Sequence, residues 1–164
     1  MWELLGGLVV ASAVSGVVPL VNAELLVVTA AAALPAVGVP LVAVASTVGQ
    51  MSAKLSLFAV ARWAPSRLPA KARDAVERAS ASLSEREGTV WSLVFASAAT
   101  GIPPFYGISI AAGTLGVPPL SFATSGCLGR FLRFGALAWA GRQVGAGAVE
   151  MLSVAPTMPA FLGG

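Results

Sequence analysis

The sequence predicts an all-α integral membrane protein with one domain, built from two repeats. Each repeat combines a re-entrant helical hairpin with a transmembrane helix, and the second repeat is expected to be inverted relative to the first. One observation behind this prediction is the composition: 57% of the 164 residues are hydrophobic and only 10% are charged, whereas a soluble domain carries about 25% charged residues. The others are long charge-free runs broken by proline and glycine, and a series of short motifs that recurs in both halves.

The composition also bears on the classes of function. With so few charges the chain cannot cover an ordinary water-facing surface, which argues against a soluble enzyme, a disordered tail and a nucleic-acid binder. The chain has no histidine and a single cysteine, Cys127, so a disulfide within the chain is excluded and the usual zinc sites lack ligands. No nucleophile–base pair can be recognised. We therefore expect no enzymatic activity, no cofactor and no bound metal.

Three charge-free runs are long enough to enter a bilayer, because a spanning helix needs about 20 apolar residues. They cover residues 4–23, 25–53 and 88–129, with 20, 29 and 42 residues. Prolines and glycines cut the two longer runs into pieces such as residues 24–34 and 105–117, which reach roughly half to two thirds of the way across a bilayer. Such pieces favour re-entrant hairpins, whose freed backbone groups must be buried in protein or face a water-filled cavity. The alternative is that the prolines only kink spanning helices.

The charged residues concentrate between the two halves of the chain. Six of the ten Lys and Arg residues lie at positions 62–86, and the positive-inside rule therefore predicts that the connection at residues 63–88 faces the cytoplasm. Apolar residues recur there at helical spacing and predict a short amphipathic helix, which either lies on the inner leaflet or is solvated. Ser84 and Glu87 have the spacing of a capping box that opens the next helix.

The motifs of the first half recur in order in the second half. Each half has a small-residue motif before a proline, a Gly-Val-Pro motif, a small residue followed by a base, and a second such pair that closes the repeat. The matched positions are 15–19 with 100–104, 38–41 with 116–119, 53–54 with 129–130, and 61–62 with 141–142. These matches place repeat one at residues 3–62 and repeat two at residues 89–142, followed by an apolar tail at residues 143–164. Repeats with broken helices are typical of transporters, whose sites lie near the midplane.

Two longer motifs run across these repeats. The first half reads Gly16-x-x-Pro19-x-x-x-x-Glu24 and then Gly49-x-x-x-Ala53-Lys54-x-x-x-Phe58-x-x-Ala61-Arg62, and the second half runs from Ile102-Pro103-Pro104 through Ala112-Gly113 to Gly129-Arg130-Phe131-Leu132-Arg133-Phe134. In this order the motifs resemble those of the DedA family, in the superfamily of VTT-domain or SNARE-associated Golgi proteins. The chain is similar to the short bacterial branch of that superfamily, over roughly residues 16–142.

The resemblance implies a multi-pass protein of the bacterial inner membrane with two opposed re-entrant hairpins. Some relatives translocate lipids, including the undecaprenyl phosphate carrier, and eukaryotic relatives scramble phospholipids. The implied function is therefore movement of a phosphate-bearing lipid between leaflets. The implied partners are membrane lipids with an anionic phosphate headgroup. Because a chain this short needs a partner subunit to enclose a cavity, a homo-oligomer is also expected, and the composition predicts no nucleic-acid partner. Two alternatives stay open: proton-coupled efflux of a small molecule or ion, and a non-transporting assembly or scaffold role.

The chain departs from the family pattern at two places. Many members have Asp where this chain has Lys54. Many also have an arginine just after the hairpin proline, where this chain has Phe105 and Tyr106. A second membrane carboxylate and one basic contact are therefore missing, which weakens the case for proton coupling more than the case for membrane placement.

Glu24 is the acid that the resemblance assigns to the first hairpin. It is the only acid in residues 4–73, and a charged side chain deep in a bilayer costs at least about 2.5–3.5 kcal/mol. It must therefore face a wet cavity, pair with a base or take up a proton. One interpretation is a proton-responsive or headgroup-sensing carboxylate. The other is a structural ion pair with Lys54, Arg130 or Arg133 that pins the two halves together.

Arg130 and Arg133 are the bases that the resemblance assigns to the second half, and Lys54 is grouped with them as a binding or coupling residue. The two arginines are three residues apart on one helix face. Because a guanidinium binds phosphate with two hydrogen bonds, they are predicted to hold a lipid phosphate; the alternative is a pair that snorkels to the headgroup level. Asn22 and the hairpin prolines are expected to free backbone N–H groups for an anionic headgroup. The residues expected to shape the hairpins are Pro19, Pro103, Pro104 and Gly113.

Small and aromatic residues complete the prediction. Gly126 and Gly129 are interpreted as close-packing positions between helices. The tryptophans suit anchoring at the membrane interfaces. They are Trp2, Trp63, Trp91 and Trp139.

Overall fold

A computed structural model of the protein describes residues 2–18, 22–64, 66 and 90–154. These residues form six α-helices and no β-strand, so the all-α prediction is confirmed for the described part of the chain. The helices are α1 (Trp2–Val17), α2 (Ala23–Ala33), α3 (Gly38–Trp63), α4 (Val90–Thr100), α5 (Phe105–Thr114) and α6 (Pro119–Val154).

Some sequence predictions fall outside the described residues. Pro19 is one of them, and so are most of the 63–88 connection with its amphipathic helix and the capping box at Ser84 and Glu87. Of the predicted tail at residues 143–164, the part up to residue 154 continues α6. The remainder of the tail lies outside the described range.

Local signals set the helix boundaries. Asn22 caps α2, because its side-chain oxygen accepts hydrogen bonds from the backbone N–H groups of Glu24 (2.9 Å) and Leu25 (3.3 Å), as is typical of an N-cap. Asn22 therefore uses these two N–H groups itself and does not free them for a headgroup, contrary to the expectation from the sequence. Gly101 and Gly116 follow the ends of α4 and α5 with φ values of 82° and 74°. Only glycine adopts this left-handed region without strain, so these two positions allow the chain to turn.

α1 and α3 lie side by side and run in the same direction. Gly49 packs against the Val9 carbonyl, and farther along both helices Gly16 packs against Ala53. α2 turns back from α1 and leads into α3 through the short turn at residues 34–37. The first half of the chain therefore forms a hairpin, α1–α2, followed by a long helix that returns along α1.

The second half repeats this order. Gly129 of α6 packs against the Phe95 carbonyl of α4, and Gly101, just after α4, lies against Arg133 of α6. α4 and α6 therefore also run in the same direction, with α5 as the returning arm of the hairpin.

α3 and α6 form the centre of the fold and run antiparallel. Met51 packs against Gly126, whereas Val42, nearer the start of α3, shares a core cluster with Phe134 and Ala138, farther along α6. The returning arm of each hairpin packs on the long helix of the other half, α2 along α6 and α5 along α3. The two halves are therefore interlocked.

Two large apolar clusters and a small one at Ala61 and Ile110 lie in the interior of the described part of the chain. In the cluster that joins α3, α4, α5 and α6, the Phe122 ring stacks between Phe58 and Phe105, with centroid separations of 4.7 Å and 5.9 Å. The other large cluster joins α1, α2, α3 and α6 and includes Val27 and Val42. α5 is the most buried helix, with eight of its ten residues buried.

The outer surface is rich in apolar side chains. By length and composition one described helix, α3, could cross a membrane, and α1, α2 and α4 are shorter apolar helices. Large apolar side chains are exposed on α1, α2, α3, α4 and α6. The large apolar side chains that are more than 60% exposed, on these helices or in the turns beside them, are Trp2, Val10, Leu25, Val37, Trp63, Ile102, Leu120, Trp139, Val144 and Val149.

Candidate functional site

The ends of both hairpins meet near the middle of α3 and α6. Lys54 Nζ donates a hydrogen bond over 2.7 Å to the carbonyl of Gly16, in the last turn of α1. Arg133 Nη1 donates one over 3.1 Å to the carbonyl of Ala99, in the last turn of α4. Carbonyls in a last turn lack partners within their helix, and the helix dipole favours a cation there. Each long helix therefore holds the hairpin of its own half through a base.

Glu24 and Arg133 form an ion pair that links the two halves. Arg133 donates from Nε to Glu24 Oε1 over 3.0 Å and from Nη2 to the same oxygen. Because the same guanidinium also bonds to Ala99, it joins the start of α2 to the end of α4. Of the three pairings expected for Glu24, the structure contains the one with Arg133. The Glu24 side chain stays 43% exposed, so it remains accessible to a ligand.

Arg130 lies one helical turn before Arg133 and is almost fully buried, with 9% of its surface exposed. Its guanidinium carbon lies 4.8 Å from the ring centroid of Phe105 and 5.8 Å from that of Phe134, which are cation–π contacts. Its Nε has no hydrogen-bond partner among the described residues. Arginine has five N–H donors, so Arg130 is a buried cation with unused donor capacity.

We call Glu24, Lys54, Arg130 and Arg133 the central cluster. Lys54 and Arg130 lie over the neighbouring rings of Tyr106 and Phe105 at the start of α5, and Arg133, which holds Glu24, lies one helical turn after Arg130. Three positive groups and one carboxylate give a formal charge of +2 (three minus one). Lys54 is 6% exposed, and its Nζ lies 5.2 Å from the Tyr106 ring centroid. Because buried uncompensated charge is costly, this arrangement favours the binding of an anion.

A row of polar side chains, which we call the polar seam, continues from the central cluster along the α1–α3 interface. It consists of Ser12, Ser15, Ser46 and Gln50. Gln50 Nε2 donates to Ser15 Oγ over 3.0 Å. Gln50 Oε1 and the hydroxyls of Ser12 and Ser46 are buried without a partner among the described residues. The motif pattern did not predict this seam, although Ser46, Gln50 and Lys54 are four residues apart and therefore share one face of α3. Polar residues that recur every four positions in an apolar run indicate a polar helix face, and this signal is present in the sequence.

The residues expected to shape the second hairpin have two different positions. Pro103 and Pro104 lie in the turn between α4 and α5, as predicted, and α5 begins directly after Pro104. Gly113, expected at a hairpin turn, instead lies inside α5 and packs against the Phe58 carbonyl of α3. The turn after α5 is made by Gly116, which has the positive φ. Gly113 therefore permits close helix packing.

Gly126 and Gly129 are close-packing positions, as predicted. A Cβ atom on Gly129 would lie 2.6 Å from the carbonyl oxygen of Phe95 and 2.7 Å from the Cβ of Ala98. A Cβ atom on Gly126 would lie 2.7 Å from the Met51 methyl group. Cβ atoms essentially never lie this close to a backbone atom, so the contact between α4 and α6 requires Gly129, whereas at Gly126 the flexible end of the Met51 side chain could move aside.

Comparison with protein-family models, curated proteins and solved structures found no match for the chain. Within the part of the chain that the structure describes, no group of three His, Cys, Asp or Glu side chains could hold a metal ion. The function is therefore inferred from the central cluster and from the surface around it.

Proposed function

We propose that the protein is an integral membrane protein that moves a phosphate-bearing lipid between the two leaflets, and that the central cluster binds the phosphate during transfer. The observation that carries the proposal is the buried excess of positive charge where the ends of the two hairpins meet. A phosphate group supplies the negative charge that this cluster lacks, and arginine binds phosphate through charge-assisted hydrogen bonds. The resemblance to the DedA family suggests the same class of substrate.

The surface and the length of α3 support placement in a membrane. Large apolar side chains are exposed on five of the described helices, and contact of apolar area with water costs about 25 cal/mol per Å², a cost that lipid removes. α3 has 26 residues and reaches about 39 Å at 1.5 Å per residue, more than the roughly 30 Å of the hydrocarbon core. Trp2 and Trp63, at the first position of α1 and the last of α3, suit the two interfaces.

The lengths of the other helices support re-entrant hairpins. α1 has 16 residues, and α2 and α5 have 11 and 10. They reach about 15–24 Å, too little to cross a core of roughly 30 Å. α3 and α6 are antiparallel, and each runs along the first helix of its own hairpin, so the hairpins would enter from opposite faces. With the 63–88 connection in the cytoplasm, α3 ends at the cytoplasmic face and begins at the outer face. Because α1 runs parallel to α3, the first hairpin enters the membrane from the outer face.

In the proposed mechanism the acyl chains stay in the bilayer while the headgroup passes the central cluster. Arg130 is the first phosphate ligand, because its Nε has no acceptor among the described residues. Arg133 is held by Glu24 and Ala99, so a phosphate replaces Glu24 as its acceptor, and Lys54 adds a third positive charge. Competition between Glu24 and the phosphate for one guanidinium keeps the binding reversible, as transfer requires.

Lipid exchange in liposomes tests the proposal. The purified protein is reconstituted, and exchange of labelled phospholipids and of a labelled polyprenyl phosphate between leaflets is followed. We expect exchange by the intact protein and a rate at least about tenfold lower in Arg130→Gln, because a hydrogen bond to a charged group contributes about 1.5–3 kcal/mol. Arg130→Lys should keep part of the activity, since it retains the charge but not the planar donor group.

Thr29→Val is the matched control for this experiment. Thr29 is exposed, and its hydroxyl bonds to carbonyls of its own helix, so the variant should exchange lipid at the parent rate. Gel filtration and circular dichroism establish first that each variant is folded. Absence of exchange for every tested lipid with the intact protein would contradict the proposed function. Equal rates for Arg130→Gln and the parent would reject the central cluster as the site.

A structural role in membrane assembly is the second candidate function, and the Glu24–Arg133 pair favours it. This pair ties the start of α2 to α6 and, through Ala99, to the end of α4. In an assembly protein the pair would serve stability alone. Glu24→Gln would then weaken assembly or thermal stability, and the intact protein would exchange no lipid.

A further inference from the structure

Two arginines near opposite ends of the molecule differ in their partners. Arg62, in the last turn of α3, donates from Nη1 to the carbonyl of Val117 over 2.9 Å. Its guanidinium carbon also lies 6.0 Å from the Phe58 ring centroid. Val117 belongs to the turn between α5 and α6. Arg62 is therefore engaged in holding that turn against α3.

Arg142, on α6 near the start of α3, lacks a comparable partner. Its Nε is buried and has no hydrogen-bond partner among the described residues. The side chain lines a groove of about 420 Å³ between the start of α3 and the second half of α6, which we call the Arg142 groove. The other residues that line it are Ala36, Val39, Pro40, Trp139, Gln143 and Ala146.

The lining of the Arg142 groove combines one cation with polar donors and apolar walls. Among the described residues that line the groove, Arg142 is the only charged one, and its charge complements a negative group. Gln143 adds amide donors. Trp139 is 62% exposed, and an indole that is part apolar and part polar is typical of the headgroup level of a membrane.

The surroundings of the groove distinguish a lipid from a free anion. Val37 and Val144, next to the lining residues in sequence, are 73% and 69% exposed, so apolar surface continues beyond the groove. A free phosphate would use only the polar donors, whereas a phosphate that carries acyl chains also covers this apolar surface. The volume lies within the range of about 300–1,000 Å³ that is usual for small-molecule sites, and it suits a headgroup region better than a whole lipid.

We propose that the Arg142 groove binds the phosphate and glycerol region of an anionic phospholipid, taken from the leaflet at the end where α3 begins. Arg142 and Gln143 donate hydrogen bonds to the phosphate, and Trp139 packs against the glycerol region. The inference rests on the membrane placement in the proposed function and adds a second lipid site at the surface. A lipid held there lies at one end of the path that leads to the central cluster.

Quenching of Trp139 fluorescence tests this inference. Replacement of Trp2, Trp63 and Trp91 by Phe leaves Trp139 as the single reporter. The protein is reconstituted in phosphatidylcholine vesicles with a small fraction of phosphatidylglycerol or phosphatidylcholine that carries brominated acyl chains, which quench on contact. We expect brominated phosphatidylglycerol to bind about tenfold more tightly, because both lipids offer a phosphate to Arg142 but the choline cation of phosphatidylcholine is repelled by it. Arg142→Gln should remove the preference, and Arg142→Lys should keep part of it.

Arg62→Gln is the matched control, because it removes the same charge near the opposite end and should leave the preference intact. Equal quenching by the two lipids would overturn the inference. A preference that survives Arg142→Gln, or one that Arg62→Gln also removes, would overturn it as well. The inference would also fail if inorganic phosphate displaced the brominated lipid as effectively as phosphatidylglycerol does. Native mass spectrometry of the protein with all four tryptophans, with and without Arg142→Gln, gives an independent measure of bound phosphatidylglycerol. If phosphatidylglycerol quenches Trp139 preferentially but the intact protein exchanges no lipid, the proposed function is rejected, whereas the Arg142 groove is still supported as a lipid site.

Discussion

At the scale of single residues, the two arginines of the central cluster have different environments although they share a helix face. Arg133 is engaged on two sides, by Glu24 and by the carbonyl of Ala99. Arg130 lies against the rings of Phe105 and Phe134 with an unpartnered Nε. This geometry does not correspond to a pair that extends to the headgroup level. It divides the cluster into one base that links the hairpins and one that has donors left for a ligand.

The Glu24–Arg133 pair should show energetic coupling. Glu24→Gln removes the carboxylate from Arg133, and Arg133→Gln removes the base from Glu24 and the donor from Ala99. We expect both variants to lower the free energy of unfolding, and the double variant to be less destabilised than their sum by about 1 kcal/mol, since residues in contact couple by about 0.5–3 kcal/mol and exposure of Glu24 weakens the pair. Denaturant unfolding of the detergent-solubilised protein measures the coupling. Strictly additive effects would show that the pair contributes nothing to stability.

At the scale of elements, the helix order and most breaks were predictable because proline, glycine and charge are local signals. The pieces predicted at residues 24–34 and 105–117 correspond to α2 and α5 within a few residues. The position of Gly113 and the choice of Arg133 as the partner of Glu24 were not predictable. Both depend on distances between helices that are far apart in sequence, and such distances have no local signal.

The sequence motifs also could not predict which residue of the second half corresponds to Lys54. They aligned Lys54 with Arg130. In the structure Gly49 and Gly129 each pack against a carbonyl in the first helix of their hairpin. Lys54 and Arg133 each donate to a carbonyl in the last turn of that helix. The contacts thus match Lys54 with Arg133, nearly one turn beyond Arg130. Motifs with an interval of three or four residues recur every turn of a helix, so their order alone leaves this shift undetermined.

Close packing of α4 on α6 should depend on Gly129. In Gly129→Ala the new methyl group would lie 2.6 Å from a backbone oxygen of α4, and the helix backbone cannot move away as a flexible side chain would. We expect a loss of about 1–3 kcal/mol in the free energy of unfolding, as for other overpacked positions. Gly135→Ala, on the same helix with no atom within 4 Å of the new Cβ, is the matched control and should be neutral or stabilising by about 0.5–1 kcal/mol. A Gly129→Ala protein as stable as the control would contradict the close helix contact.

At the scale of the whole molecule, the two halves have the same order of packing with opposite directions. α3 and α6 are antiparallel, and each holds the end of its own hairpin, through Lys54 in one half and Arg133 in the other. Because α3 and α6 are antiparallel, Arg62 and Arg142 lie near opposite ends of the molecule, Arg62 where α3 ends and Arg142 where α3 begins. Under the proposed function, the two halves would expose the central cluster alternately to either side, as in transporters built from inverted repeats. The proposed lipid path therefore requires a definite topology, which can be measured directly.

Opposite entry of the two hairpins predicts which positions a membrane-impermeant maleimide reaches. In a Cys127→Ala background, single cysteines are placed in the α2–α3 turn (Ala36→Cys), in the α5–α6 turn (Leu115→Cys) and just after α4 (Ile102→Cys). The first two should label from opposite faces of oriented vesicles. Ile102→Cys should label slowly from both faces, although Ile102 is 79% exposed, because it would lie at mid-depth. If Ile102→Cys labels as fast as Ala36→Cys and from the same face, α4 crosses the membrane completely and the chain forms kinked spans without re-entrant hairpins.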